Sequence, residues 1–284
     1  MIVSSREQTR QLHAINAAVA GIVGFGLGYL YVGRPRLAFL PFITFIVMLF
    51  VVGVSRAIVE PTGIYVTYSI ILTIWLVSII HAAIIAIRQK EAPKRAYNRI
   101  WIYVAWIIVL SVAVMQIAAH RGALFGFELY RVPSISMAPT VEKGDWIVSD
   151  TWHYDDALPA FGDLIVHAVP EDHDLLYIKR IVGLPADRIE ISNDVLIRNG
   201  QPVHEDYIQL TKPSRAFLTD FAASVIPADH YFVLGDNRHN SRDSRFVGSI
   251  HQDFIRGRVM YRWLAYDDGI RWERFPEMLS AEEK

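Results

Sequence analysis

Residues 100–119 read IWIYVAWIIVLSVAVMQIAA and include no charged side chain. A helix that crosses the hydrocarbon core of a membrane needs about 20 apolar residues, which is the length of this run. The sequence before the run is also apolar, whereas from His120 onward Gly, Pro, Asp and Asn separate short stretches rich in Val, Ile and Tyr. The run therefore marks the boundary between a predicted membrane domain, residues 1–119, and a predicted water-facing domain, residues 120–284.

The membrane domain contains three more runs without a charged residue, at residues 14–32, 37–54 and 63–87. Together with residues 100–119 they predict an all-α membrane part of four transmembrane helices. Four buried helices of a soluble protein are the alternative, but helices of soluble proteins keep a polar stripe that these runs lack. Within the first run, Gly24 and Gly28 have the spacing that lets membrane helices pack closely.

Positive charges predict the orientation of the four helices. The segment between the third and fourth runs contains Arg88, Lys90, Lys94, Arg95 and Arg99, against the single acidic residue Glu91. Short loops rich in Lys and Arg stay in the cytoplasm. Four crossings then place both chain termini and the water-facing domain outside the cytoplasm, where Arg6 and Arg10 would also lie.

The composition excludes several classes of function. The chain has no cysteine, so disulfides, thiolate catalysis and cysteine zinc sites are impossible. Its formal net charge of -1 gives no basis for nucleic-acid binding, which needs a strong positive charge. The ten histidines are scattered and form no H-E-x-x-H motif, so we expect no metal and no other cofactor.

The water-facing domain is predicted to be mainly antiparallel β structure. Its apolar runs are short, show no helical period and end at turn residues. The dipeptides Asn193-Asp194 and Asn199-Gly200 are typical of hairpin turns. The candidate strands are Trp146–Ser149, Leu164–Val169, Leu175–Val182, Arg188–Ser192, Val195–Arg198, Tyr231–Leu234 and Arg258–Leu264.

The first of three polar clusters reads Pro133-Ser134-Ile135-Ser136-Met137-Ala138-Pro139-Thr140. In an extended segment Ser134 and Ser136 point to the same side, because side chains alternate along a strand. One hydroxyl can then attack a carbonyl carbon while the other donates a hydrogen bond to the developing oxyanion. A Ser/Pro-rich linker between the domains is the alternative for this cluster taken alone.

The second cluster reads Tyr177-Ile178-Lys179-Arg180-Ile181-Val182-Gly183-Leu184-Pro185. Strand alternation places Lys179 on the same face as Tyr177 and Ile181, and Arg180 on the opposite face. An ammonium among apolar side chains loses hydration, which lowers its pKa and leaves a neutral amine that can act as a general base. The alternative is a lysine at a strand edge whose amine reaches solvent.

The third cluster reads Gly235-Asp236-Asn237-Arg238-His239-Asn240-Ser241-Arg242-Asp243-Ser244-Arg245. It has no hydrophobic period and is predicted to be a loop held by its own ion pairs, among them Asp243 with Arg245. Ser241 is a candidate to orient a lysine amine, and a solvated turn is the alternative. A Ser/His/Asp triad of His239, Ser241 and Asp243 is disfavoured, because triad members normally come from separate segments.

Taken together, the three clusters resemble the bacterial type I signal peptidase family. Residues 133–140 match its Ser-x-Ser-Met segment, residues 177–185 its lysine segment, and residues 235–245 its Gly-Asp-Asn-x-x-x-Ser-x-Asp-Ser-Arg segment, in the family's order. Gly144-Asp145 and Gly257-Arg258 also fit. The resemblance covers residues of about 125 to 270, and it implies the folded antiparallel β-barrel of the family.

The resemblance also implies a reaction and a role for each matching residue. Ser136 would be the nucleophile of a membrane-bound serine endopeptidase, with Lys179 as the general base beside Tyr177. The Ser134 hydroxyl and the Ser136 backbone N–H would form the oxyanion hole. Ser241 would orient the Lys179 amine, and Asp243 and Arg245 would hold the loop.

The same resemblance implies the substrate and the location. Preproteins with signal peptides would be cut after small residues in an Ala-x-Ala pattern, in an acyl-enzyme mechanism. The substrate would bind as an added β-strand along Phe127–Val132 and Asp163–His167. The protein would be a multi-pass protein of the bacterial inner membrane, with the catalytic domain on the extracytoplasmic side of the lipid bilayer.

Two residues depart from the family pattern, and two other functions stay open. Ala186 stands where relatives usually have Gly, and His239 where they often have an acidic residue. A specialised Ser/Lys peptidase, such as one that matures pilus or conjugation proteins, would have the same motifs. A catalytically inactive membrane assembly factor with the same fold is the third possibility, whereas a self-cleaving repressor would lack the membrane domain.

Overall fold

A computed structural model describes residues 5–89, 99–170, 172–210, 219–265 and 277–279. Its internal contacts divide the chain into two compact units. One unit contains Met1–Ile58 and Thr62–Phe125, and the other contains Val59–Pro61 and Gly126–Lys284. The two units are helical and β-rich respectively, as the sequence predicts.

The first unit contains seven α-helices within the part of the chain that is described. They are α1 (Ser5–Val23), α2 (Leu27–Tyr31), α3 (Pro35–Ala38), α4 (Leu40–Val54), α5 (Pro61–Arg88), α6 (Ile100–Ala119) and α7 (Arg121–Phe125). Three helical stretches in these residues are long and apolar enough to cross a membrane: Pro35–Val54, Pro61–Arg88 and Ile100–Ala119. They correspond to the second, third and fourth predicted spans.

The first predicted span, residues 14–32, is corrected by the structure because it is not one helix. The helix ends at Val23, and Gly26 takes the left-handed backbone conformation, with φ 81°, that favours glycine. The chain then reverses, so that α2 lies back along α1. His13 Nδ1 is hydrogen-bonded to Tyr31 Oη at 2.9 Å, and a Cβ on Gly28 would lie 2.7 Å from the Ala17 carbonyl oxygen.

Helix α5 packs along this hairpin and donates hydrogen bonds to two of its free backbone carbonyls. Carbonyl groups at a helix end or a turn have no intrahelical partner, and hydrocarbon offers them none. Trp75 Nε1 donates to the Gly21 carbonyl at 3.1 Å, and Gln89 Nε2 donates to the Val32 carbonyl at 2.9 Å. The end of α2 therefore lies level with the end of α5. The start of the hairpin turn lies beside Trp75, about 20 Å back towards the beginning of α5, since an α-helix rises 1.5 Å per residue.

The second unit is built from antiparallel strands, which confirms the mainly antiparallel β structure predicted for the water-facing domain. The strands are β1 (Phe127–Arg131), β2 (Trp146–Asp150), β3 (Leu164–Val169), β4 (Asp172–Gly183), β5 (Arg188–Ser192), β6 (Val195–Arg198), β7 (Gln201–Pro202), β8 (Phe221–Val225), β9 (His230–Leu234), β10 (Ile250–His251), β11 (Ile255–Leu264) and β12 (Glu277–Met278). Two short helices, α8 (His153–Asp156) and α9 (Ser244–Val247), lie between strands.

The strands form two sheets. The larger sheet has the order β1-β2-β11-β3-β4-β9-β10, with β12 added to β11, and the smaller has the order β7-β6-β5-β8. All seven candidate strands of the sequence are present, each within about three residues of its predicted ends.

The register of β4 brings the lysine segment to the centre of the larger sheet. Lys179 pairs with Ile165 of β3, and Arg180 pairs with Leu164 on one side and Leu234 of β9 on the other. Because β9 pairs with β4 only from Arg180 onward, the preceding part of that β4 edge pairs with no described strand.

The edge predicted along Asp163–His167 is corrected by these pairings. Strand β3 is hydrogen-bonded to β11 on one side and β4 on the other, so neither edge is free for another strand. Within the described residues, the open edges of the larger sheet include those of β1 and of the first half of β4, besides the two-residue strands β10 and β12.

Candidate active site

The serine segment lies between β1 and β2 and is anchored by its apolar residues. Met137 and Val141 are fully buried in a cluster with Ile147, Leu164 and other residues. Burial of one such side chain stabilises the folded state by about 1.5–3 kcal/mol. The segment is therefore anchored within its turn and directly after it, rather than being a free linker.

The conformation of this segment differs from the predicted extended one. Residues 136–140 form a turn, in which Val141 N donates to the Met137 carbonyl at 2.9 Å. The two hydroxyls nevertheless meet, because Ser134 Oγ lies 3.1 Å from Ser136 Oγ. Ser134 is exposed and Ser136 is half-buried, so both are on the accessible side of the turn.

Lys179 extends from β4 to the serine turn. Its Nζ lies 3.2 Å from Ser136 Oγ and donates to the Ile178 carbonyl at 2.9 Å. The amine also lies 5.1 Å from the centre of the Tyr177 ring. The two residues that the sequence pairs as nucleophile and base are therefore within hydrogen-bond distance, although they are 43 positions apart.

Burial controls the charge of Lys179. The side chain is only 3% exposed, and loss of hydration lowers the pKa of Lys179 to about 8, although the carboxylates of Asp243 and Asp236 act to raise it. The cause matches the one predicted from the sequence. A pKa near 8 leaves a substantial fraction of neutral amine at physiological pH, which a general base requires.

The third cluster is a buried loop rather than a solvated turn. Asp243 caps α9 and accepts hydrogen bonds from Gly235 N at 3.0 Å and from Arg245 Nε at 2.8 Å. Arg245 Nη2 also donates to the other Asp243 oxygen at 2.9 Å. This two-point ion pair is nearly inaccessible to solvent, and it fixes the loop beside the lysine.

The predicted contact between Ser241 and the lysine amine is absent from the described structure. Ser241 is fully buried, and its Oγ has no hydrogen-bond partner among the described residues. The hydroxyl lies instead against Gly235, where an added Cβ would come within 2.2 Å of it. The lysine amine hydrogen-bonds to the Ile178 carbonyl and Ser136 Oγ.

A second buried ion pair joins all three clusters and was not predicted. Arg180 Nε and Nη2 donate to the two Asp236 oxygens at 2.9 and 2.7 Å. Thr140 Oγ1 donates to the same carboxylate at 2.6 Å. Arg180 also stacks on the Tyr207 ring at 3.9 Å. The sequence placed Arg180 on the strand face opposite Lys179, but a pairing across 56 positions leaves no local signal.

His167 is a further buried group close to the lysine. It is 3% exposed, hydrogen-bonds through Nδ1 to the Ala168 carbonyl at 3.0 Å, and packs edge-on against the Tyr177 ring with 6.0 Å between ring centres. Burial lowers the pKa of His167 to about 4. The ring is therefore neutral at physiological pH.

The two departures from the family pattern have visible structural effects. Ala186 has φ 70°, in the left-handed region that favours glycine. His239 Nε2 lies 3.0 Å from the Asp194 carboxylate, so its partner comes from the turn between β5 and β6.

The chemistry available here is acyl transfer. The half-buried Ser136 hydroxyl lies 3.2 Å from an amine of lowered pKa and 3.1 Å from a second hydroxyl, an arrangement that suits nucleophilic catalysis. Within the described ranges, no group of three or more His, Cys, Asp or Glu side chains is arranged to hold a metal ion.

Comparison with known proteins gives consistent matches. A family model described as "Signal peptidase, peptidase S26" matches residues 101–264. The chain is 38% identical over 163 residues to the "Probable signal peptidase I-1" of Synechocystis sp., a match that covers 54% of this chain and 81% of that protein. It is 37% identical over 183 residues to the "Signal peptidase I" of Bacillus caldolyticus, which covers 61% and 93% respectively.

A crystal structure of a signal peptidase I from Enterococcus faecalis is 31% identical, with a TM-score of 0.32 over 36% of this chain and 97% of that chain. The family match includes all three polar clusters, and it begins within α6. The helices before residue 100 therefore lie outside it.

Proposed function

The chain belongs to the signal peptidase family, peptidase S26, and from this premise we propose that Ser136 and Lys179 carry out its reaction. The protein is a membrane-bound serine endopeptidase, a signal peptidase I, that removes signal peptides from exported preproteins. The observation that carries the assignment of the two residues is the distance of 3.2 Å between Lys179 Nζ and Ser136 Oγ.

The proposed reaction begins with proton transfer from Ser136 Oγ to the neutral Lys179 amine. The oxygen attacks the carbonyl carbon of the scissile peptide, and the resulting tetrahedral intermediate collapses as the Lys179 ammonium returns the proton to the leaving amine. Ser136 is then esterified to the signal peptide. Lys179 deprotonates a water molecule that hydrolyses this ester, and the proton returns to Ser136 Oγ.

Two donors would stabilise the oxyanion. The Ser136 backbone N–H is one, and it has no acceptor among the described residues. The Ser134 hydroxyl, 3.1 Å from Ser136 Oγ, is the other. Two preorganised donors at one oxygen are the arrangement that typically contributes most to acyl transfer.

The third cluster has a supporting role in this proposal. Asp243 and Arg245 hold the loop, and the Asp243 carboxylate acts on the charge of the lysine. Ser241 would accept a hydrogen bond from the Lys179 amine after the amine leaves Ser136 during catalysis. Its buried and unpartnered hydroxyl supports that role.

The substrate would bind as an extended strand next to the dyad. The exposed edge of β1 leads into the serine turn, and the open part of the β4 edge ends at Lys179. A peptide that pairs with these edges gains main-chain hydrogen bonds regardless of its sequence. Specificity for small residues of the Ala-x-Ala type would then depend on the space beside Ser136.

The hairpin of α1 and α2 changes the membrane topology that we infer. Because the hairpin returns to the side on which it starts, it does not cross, and three crossings follow. The end of α2 lies level with the end of α5, so Arg10, Arg34, Arg36 and Arg88 would share one side.

The positive-inside rule makes that side cytoplasmic. The remaining basic residues of the connecting segment, Lys90, Lys94 and Arg95, lie outside the described residues. The amino terminus would then be cytoplasmic, opposite to the sequence prediction. The catalytic domain, residues 120–284 with the folded β-barrel of the family, stays on the extracytoplasmic side of the bacterial inner membrane.

Cleavage of a purified preprotein in detergent tests this proposal. The full chain should remove a signal peptide with an Ala-x-Ala site, and the Ser136→Ala and Lys179→Ala variants should not. Lys143→Ala is the matched control, because Lys143 is exposed in the same unit and should keep normal activity. Near-normal cleavage by Lys179→Ala would refute the dyad. Failure of the unmodified chain to cleave several different preproteins would favour a specialised peptidase.

A further inference from the structure

Asn237 holds both peptide groups that flank the nucleophile. Its side-chain Nδ2 donates to the Ile135 carbonyl at 3.2 Å, and its backbone N–H donates to the Ser136 carbonyl at 3.1 Å. One residue of the third cluster thus binds two successive carbonyls of the serine turn. Asn237 itself is only 2% exposed.

The bond to Ile135 acts on the oxyanion donor through the planarity of the peptide group. The Ile135 carbonyl and the Ser136 N–H belong to the same peptide unit, and in a trans peptide they point in opposite directions. Whatever fixes the direction of this carbonyl also fixes the direction of that N–H. A donor that must not reorganise during the reaction benefits from such a constraint.

The amide of Asn237 is oriented by a neighbouring residue. Asn240 Nδ2 donates to Asn237 Oδ1 at 3.3 Å, which directs Asn237 Nδ2 towards Ile135. The order Asn240, Asn237, Ile135 is a chain of hydrogen bonds that ends on the peptide unit of Ser136.

We propose that Asn237 is a positioning residue that aims the Ser136 backbone N–H at the oxyanion, with Asn240 setting the orientation of its amide. The proposal rests on the proposed function, because it assigns an origin to one of its two oxyanion donors. It requires no contact between Asn237 and the substrate.

The Asn237→Asp variant tests the side-chain bond with almost no change in volume. A carboxylate cannot donate, and it repels the Ile135 carbonyl oxygen. Removal of an oxyanion donor costs about 10²–10³ in kcat, so misdirecting it should lower kcat about tenfold to hundredfold. KM should stay near the wild-type value. The kcat values are compared on the pH-independent plateau, because an added carboxylate close to the serine turn would raise the pKa of Lys179, as Asp236 and Asp243 do.

Active-site titration with a serine-reactive acylating inhibitor separates positioning from loss of fold. The kcat is calculated per titrated site, so misfolded protein does not count. Asn193→Asp is the control, because Asn193 is exposed in the turn between β5 and β6. A wild-type chain and control that fail to cleave would refute the proposed function itself, whereas an Asn237→Asp variant with wild-type kcat per site would overturn only the positioning role.

Asn240→Ala provides a second and milder test. It keeps Asn237 but removes the bond that orients its amide, so kcat should fall severalfold. In the Asn237→Ala background the same change should have no further effect, because two residues that act in series are not additive. Additive losses in this double-mutant cycle would contradict the chain of hydrogen bonds.

Discussion

The pH dependence of acylation gives the most quantitative test of the lysine's environment. An ordinary lysine has a pKa of 10.5, whereas burial lowers the pKa of Lys179 to about 8. At pH 7 about one ordinary lysine in 3,000 is neutral, compared with about one Lys179 in ten, a difference of roughly 300-fold in available base. The second-order rate of acylation should therefore rise about tenfold per pH unit below about pH 7 and become constant above about pH 9.

The assay measures inactivation of the purified chain by a neutral serine-reactive inhibitor between about pH 6 and pH 10, so that the substrate does not titrate. His167→Phe is the control variant, because His167 is the other buried titratable group beside Tyr177 and its pKa lies near 4. In this variant the inactivation rate should still rise with pH and level off around a pKa near 8. An inactivation rate that rises around a pKa near 10.5, or one that does not depend on pH, would show that a desolvated neutral Lys179 is not the base.

Three further predictions follow from single residues. Ser134→Ala should lower kcat about 10²–10³-fold with little change in KM, since one of two oxyanion donors is lost; an unchanged kcat in preprotein cleavage would exclude that role. Ala186→Gly should stabilise the β unit by roughly 0.5–1 kcal/mol in denaturant unfolding, because it relieves a positive φ. Replacement of the exposed Ala157 by Gly, at φ −135°, should instead destabilise the β unit. In the folded state the pKa of His167 is lowered from 6.5 to about 4. Between these two pH values the unfolded chain binds a proton at His167 and the folded chain does not, so the free energy of unfolding should fall by at most about 3 kcal/mol as the pH drops from 6.5 to about 4. Hydrogen exchange of β3 at pH 7 and pH 4.5 should show this loss in wild type and His173→Gln but not in His167→Phe.

The larger strands could be predicted because their side chains alternate and turn residues end them. Strands β3 and β4 are examples, since apolar runs lie between Gly, Pro and Asp. The sequence Phe-Ala-Ala-Ser-Val of β8 has small residues and little burial, so it gave no such signal. The two-residue strands β7, β10 and β12 exist only because a partner strand is adjacent.

The amino-terminal hairpin was missed because hydropathy does not distinguish an apolar span from an apolar hairpin. Both have the same composition over residues 14–32. The signal that was available is glycine spacing, because Gly24, Gly26 and Gly28 permit a turn as well as close packing. Gly26 adopts the left-handed conformation, which favours glycine. The positive charges of Arg6 and Arg10 on the predicted outer side were a second indication.

The residues of the candidate site could be predicted where their chemistry is local. A lysine between apolar neighbours on a strand is a candidate for desolvation from its own segment alone, and two serines in one short segment remain close even in a turn. Pairings between distant segments could not be predicted in this way. The ion pair of Arg180 with Asp236, and the carbonyl contacts of Asn237, depend on how the loop after β9 folds over the serine turn.

The most direct measurement of the central claim is the site of covalent modification. The full chain in detergent is treated with a serine-reactive β-lactam or lipopeptide inhibitor, and the labelled residue is identified by mass spectrometry. We predict one adduct on Ser136, no adduct in Ser136→Ala, and a labelling rate in Lys179→Ala that is lower by a factor of at least about 10². An adduct on another residue, or labelling of Lys179→Ala at the wild-type rate, would contradict it.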